Sequence, residues 1–139
     1  MRRALLILFV LGSAAVLGAV VLMWTHREFR VSGTITVAAH LQRRLPQGSV
    51  TLFVIAKNRG GVPVAMQRIV NPQFPASFQL RNADLIVPHS RFQDSLLLEV
   101  EMNSHGTAGA PRPGDLRGAA KDLVFPGEKR VHIVIDKEV

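Results

Sequence analysis

The residues best suited to chemistry in this chain are five histidines, His26, His40, His89, His105 and His132, and their spacing does not suit a shared task. None forms an HxH or HxxxH pair, the spacings that set two imidazoles on one face of a strand or helix. Met102 and His105 stand three apart and offer donors soft enough for copper, yet a metal site needs three or four converging ligands and these are two. Cysteine is absent, which excludes disulfides, thiolate nucleophiles, CxxC redox centres, CxxCH heme attachment, cysteine-ligated zinc and an acylated lipobox. No serine occupies a GxSxG setting, and Asn58-Arg-Gly-Gly61 lacks the Lys-Ser/Thr of a phosphate loop, so it reads as a hairpin turn. Glu99 and Glu101 fall two apart on an expected strand, hence on one face, where the ordinary role of such a pair is solubility. The expectation is a protein that is not an enzyme and carries no cofactor and no metal.

Charge narrows the partners. The 17 Lys+Arg against 10 Asp+Glu give +7 over 139 residues, a moderate excess made mostly of scattered arginines. Arg43-Arg44 is the one arginine doublet after the apolar N-terminal run, and the aromatic interleaving of a single-strand binder is missing, so nucleic acid is not an expected partner. Anionic headgroups or an acidic protein partner suit the excess, as does an ordinary solvated surface.

The elements that must position these residues begin with a run of 21 uncharged residues, Ala4 to Trp24, long enough at about 1.5 Å per residue to cross roughly 30 Å of hydrocarbon. A cleavable signal sequence competes, but its apolar region is usually about 7–15 residues long, and this run continues through Val20-Val21-Leu22-Met23-Trp24. The expected division is a cytoplasmic tip at 1–3, a transmembrane helix at 4–24, a linker at 25–29 and an outer domain at 30–139. Arg2 and Arg3 place the N-terminus in the cytoplasm by the positive-inside bias. The domain then lies in the periplasm of a Gram-negative cell, with the chain a single-pass protein of the bacterial inner membrane. Ala14/Gly18 and Ala15/Ala19 form two overlapping small-x-x-x-small pairs. They mark a face for packing against the helix of a membrane-protein partner, or reflect the general abundance of small residues in such helices.

The outer domain reads as all-β. Val31, Ile35 and Val37 alternate with Ser32, Thr34 and Thr36; Val50 to Lys57 and Val62 to Val70 flank the Gly-Gly turn as a hairpin. Ala76 to Leu80, Ser95 to Met102 and Lys129 to Asp136 complete about six strands, and Ala38 to Leu45 is the one helical hint. Short strands spaced by Gly and Pro predict a small β-sandwich of immunoglobulin-like or transthyretin-like topology. Asn103 to Gly127 is rich in Gly and Pro and reads as one long connection, a binding loop or a mobile one.

The strand Val31-Ser-Gly-Thr-Ile-Thr-Val37, the hairpin Ser49 to Met66 and the element Gly109-Ala-Pro-Arg-Pro-Gly-Asp-Leu-Arg-Gly118, followed by Val124 to Asp136, carry a resemblance. Over roughly Phe29 to Asp136 the chain resembles the periplasmic C-terminal β-domain of the apocytochrome c chaperone subunit in the bacterial cytochrome c maturation (Ccm) heme-ligation machinery. Members of that family typically set two membrane helices and a tetratricopeptide array before this domain, and the array is the part associated with gripping apocytochrome. The stretch before the domain here reads instead as one helix, without the array. The resemblance therefore implies a membrane-tethered interaction module, an accessory factor in c-type cytochrome biogenesis, whose periplasmic protein partner is a maturation component. The alternative is a small accessory or structural subunit of a membrane redox or respiratory complex.

For such a role the expected partner-binding loop is Pro111, Arg112, Pro113, Gly114 and Asp115. Its prolines limit backbone freedom before docking, and its Arg112 and Asp115 side chains are expected to point outward. The competing reading is a loop that merely covers a sheet edge.

Overall fold

The computed structural model describes residues 12–21, 28–87 and 94–139. Residues 12–21 are helical and solvent-exposed, including Ala14, Ala15, Gly18 and Ala19, and the rest of the expected Ala4–Trp24 span lies outside the described residues. Among the described residues no helix is long and apolar enough to cross a membrane.

Seven strands follow: β1 (Arg30–Val37), β2 (Thr51–Lys57), β3 (Pro63–Val70), β4 (Ala76–Arg81), β5 (Leu97–Asn103), β6 (Leu116–Ala120) and β7 (Val131–Glu138). They form one sheet in the order β3-β2-β5-β6-β7-β1-β4, antiparallel except where β1 and β7 run side by side in the same direction. The all-β class expected from the alternation is what forms. The difference is that the two halves, β3-β2-β5-β6 and β7-β1-β4, are joined by a hydrogen-bonded β6–β7 pair, so a single sheet rolls into a nearly closed barrel. The remaining seam lies between β3 and β4. It is stitched by the Gln79 N–H donating to the Gln67 side-chain oxygen at 3.0 Å, by an Ala65–Leu85 bridge and by the Ile86 N–H donating to the Val64 carbonyl at 2.9 Å.

Period two decides which side chains fill the barrel. Val31 and Ile35 of β1, Leu52 and Val54 of β2, Leu98, Val100 and Met102 of β5, and Ile133 and Ile135 of β7 all turn inward and are fully or almost fully buried. Full burial of such a side chain contributes about 1.5–3 kcal/mol, and this shared core holds the two halves together. The close approach of β7 to its neighbours requires two glycines. A Cβ on Gly33 would sit 1.9 Å from the Val131 carbonyl oxygen, and one on Gly118 would sit 2.1 Å from that of Val134. Any larger residue would push β7 off one side or the other.

β6 occupies part of the segment that reads in sequence as a single long connection, Asn103 to Gly127. That reading is corrected: the irregular stretch is 104–115, and the chain returns to the sheet at Leu116. The short helical hint after β1 forms as a 3-10 turn, Ala39–Arg44, whose Leu41 plugs the core.

Candidate functional site

The strand directions define two ends. At the proximal end the chain enters β1 at Arg30; at the distal end β5 leaves through Asn103 and β6 begins at Leu116, so the 104–115 loop caps the distal end. Three buried side chains set its shape. Asn103 accepts the Gly106 N–H at 2.8 Å and donates to the Thr107 carbonyl at 3.0 Å; Glu101 accepts the Gly109 N–H at 2.8 Å; Asp115 accepts the Arg112 N–H at 2.7 Å. Asp115 closes a local turn, its own N–H donating to the Arg112 carbonyl, and its backbone pairs with Val139. The turn holds 110–114 out as an exposed tip, and the Arg112 side chain has no hydrogen-bonding or ionic partner among the described residues.

The structure therefore divides the five loop residues. Pro111, Arg112, Pro113 and Gly114 are presented to solvent, with Gly114 in the left-handed region at φ 92. Asp115 is not outward as expected: it is 7% exposed, and its carboxylate lies 2.9 Å from the His105 Nε2. A carboxylate within this turn satisfies an otherwise orphaned N–H, and the imidazole from ten residues upstream completes its shell. The other ring nitrogen, Nδ1, is buried without a hydrogen-bond partner among the described residues. Met102 and His105 do not converge: Met102 turns into the core, while His105, past the end of β5, is held by Asp115.

Behind the loop, the outer face of β2, β5 and β6 carries an ionic chain that sequence reasoning missed. Lys57 Nζ meets the Glu99 carboxylate at 2.6 Å, Arg117 reaches Glu99 at 3.6 Å and Glu101 at 3.3 Å, and Glu101 continues to Gly109. Glu99 and Glu101 do share a face, but their role is corrected from solubility: Glu101 is 5% exposed and anchors the loop to the sheet. The spacing of the two glutamates was visible in the sequence; the register that brings Arg117 opposite Glu101 was not.

Two concavities adjoin this framework. A shallow cleft of about 270 Å3 opens at the distal end between Leu45, Pro46, Val50, Phe74 and Met102. A wider open groove of about 500 Å3 runs over β4, β1 and β7, lined by Ser32, Thr34, Ser77, Gln79 and His132. There the His132 ring hydrogen-bonds Thr36 at 3.0 Å. Among the described residues no three His, Asp or Glu side chains converge on a point where a metal ion could sit. What the arrangement offers chemically is a braced projection: the Arg112 and Gly114 N–H groups are satisfied internally, which lessens the ordering that docking through the tip requires.

Comparison with known proteins places this barrel. Residues 31–136 match the model of the Ig-like domain of cytochrome c-type biogenesis protein H. An uncharacterized protein of Aquifex aeolicus (strain VF5) is 32% identical over 113 residues, 81% of this chain and 73% of its own length. Among solved structures, an alternative pilotin from the type II secretion system of Vibrio cholerae aligns with a TM-score of 0.49 and 10% identity over 78% of this chain and 96% of its own. With the matched region running from the second residue of β1 into β7, the chain belongs to the family of the cytochrome c-type biogenesis protein H Ig-like domain.

Proposed function

We propose that this protein is a membrane-anchored periplasmic interaction module, an accessory factor in c-type cytochrome biogenesis that acts by binding and not by catalysis. The observation that carries the reading is the family match across nearly the whole barrel, which points to cytochrome maturation as the setting. The loop geometry supports a binding role. Arg112 stands between two prolines on a tip braced by Asn103, Glu101 and Asp115, and no carboxylate among the described residues pairs with it. The occupant of that tip is a maturation component with an acidic or carbonyl-rich surface, to which a guanidinium can donate several hydrogen bonds.

The uncharged run from Ala4 to Trp24 supports the tether, and Arg2 and Arg3 support a cytoplasmic N-terminus. Deletion of the gene tests the setting: covalent heme staining of all c-type cytochromes should fall together, while cytochromes that hold heme noncovalently persist. Unchanged staining, with the protein recovered in stoichiometric amount with one finished respiratory complex, would instead make it a subunit of that complex.

A further inference from the structure

The large apolar side chains that the barrel leaves exposed are not scattered over it. Of the nine among the described residues, six lie at the proximal end: Val62, Ile86, Val87, Leu97, Leu123 and Phe125. Strand direction fixes this placement. Val62 closes the β2–β3 turn, Ile86 and Val87 follow β4, Leu97 opens β5, and Leu123 and Phe125 lie between β6 and β7. Among the described residues the distal end exposes Val70 and Val139 of this kind.

The proximal loops are fastened to one another and to the point where the chain arrives. The Phe29 N–H donates to Asn82 at 2.9 Å, the Gly127 N–H to the Arg30 carbonyl at 2.7 Å and the Ser32 N–H to the Glu128 carbonyl at 3.0 Å. Phe125, half exposed, is therefore fixed a short distance from Arg30, with Lys129 and Arg130 close by in the chain. Arg81 pairs with Arg30 across β1 and β4. The carboxylates at this end are Glu28, Asp84, Asp94, Asp122 and Glu128. Two of them are turned onto backbone N–H groups, Asp84 onto Arg81 and Glu128 onto Phe125.

Trp24, the last residue of the uncharged run, is five residues before Phe29, so a fully extended chain holds the two within about 17 Å. An apolar face with interspersed arginines and lysines, on the end of a barrel joined by so short a link to a bilayer-length apolar segment, fits the headgroup and upper acyl region of a membrane.

We infer that the proximal end of the barrel, led by Leu123 and Phe125, is a membrane-contacting face. It seats the domain directly on the phospholipid surface, with the 110–114 tip directed away from the bilayer. The inference rests on the tethered reading above, and the two can fail separately.

Because the chain has no cysteine, single nitroxide labels can be placed on the full-length protein in vesicles of phosphatidylethanolamine and phosphatidylglycerol. The sites are Phe125→Cys and Val87→Cys at the proximal end, Val70→Cys at the distal end and Val20→Cys in the apolar run. All four native side chains are exposed, so labelling leaves the core intact. Accessibility to oxygen, which partitions into lipid, and to a water-soluble nickel chelate is then read by paramagnetic relaxation. The expected result is lipid-like accessibility at 20, 87 and 125, high for oxygen and low for chelate, with water-like accessibility at 70. Lipid-like accessibility at 20 with water-like accessibility at 87 and 125 overturns the membrane-contacting face while leaving the tether. Low accessibility to both reagents at 87 and 125 means that protein covers the face, and also overturns it. Water-like accessibility at 20 removes the tether and this inference with it.

Discussion

The two ends of the barrel use one device in opposite settings. At each, a side-chain oxygen accepts a backbone N–H a few residues away and so closes a turn. At the distal end the acceptors are Glu101, Asn103 and Asp115, none more than 7% exposed; at the proximal end they are Asn58, Asp84 and Glu128, in contact with water. Buried, such an oxygen is the one partner available to its N–H, and losing it strands a polar group in a medium that cannot solvate it. Exposed, water takes its place. The distal loop therefore has a shape imposed by the core beneath it, whereas the proximal turns are locally determined.

That contrast can be broken by mutation. Asp115→Ala should be the most damaging, because it strips the Arg112 N–H and the His105 imidazole together. A loss of about 2–4 kcal/mol in denaturant unfolding is expected, and a loss under about 1 kcal/mol would show that the loop holds itself without the carboxylate. Asn103→Ala leaves the Gly106 N–H and the Thr107 carbonyl without their partner, and should cost about 1–3 kcal/mol, with faster amide exchange confined to 104–110. At the proximal end, Asn58→Ala removes a geometrically similar contact to Val62 but should cost no more than about 1 kcal/mol. If it matched Asn103→Ala, burial would not be what separates the ends.

Smallest of all, Phe125→Ser and Arg112→Ala should each leave the unfolding midpoint within about 0.5 kcal/mol of wild type, since both side chains are exposed. Arg112→Ala should nonetheless weaken capture of the maturation partner in crosslinked membranes, and undiminished capture would return the tip to a purely structural role. Asp115→Ala cannot make that distinction, because it disturbs folding and binding at once.

Where the sequence was legible, a single periodicity was enough. β1 and β7 show their inward faces through Val31 and Ile35, and through Val131, Ile133 and Ile135; Val134, apolar yet out of phase, is half-buried on the outer side. β6 was hidden because Leu-Arg-Gly-Ala-Ala has no β-branched residue. Its small side chains answer to the Val134 carbonyl pressing on Gly118, a constraint set by a strand far along the chain. Asp115 was misread for a related reason. An aspartate after Pro-Gly is ordinary turn chemistry, and nothing local signals that His105 will fold over it. The Ig-like or transthyretin-like sandwich anticipated the strand content, but the β6–β7 hydrogen bonds that merge its halves follow from register, which alternation alone leaves unspecified.

The parallel alignment of β1 with β7 carries a practical consequence for anyone handling the protein. It delivers Val139 to the opposite pole from Arg30, where the Gly114 N–H donates to the Val139 carbonyl at 3.1 Å and the Val139 N–H to that of Asp115 at 2.9 Å. Polypeptide continuing past Val139, whether natural or an appended affinity handle, emerges beside Arg112 and would crowd it. A reporter fused there would report on its own obstruction.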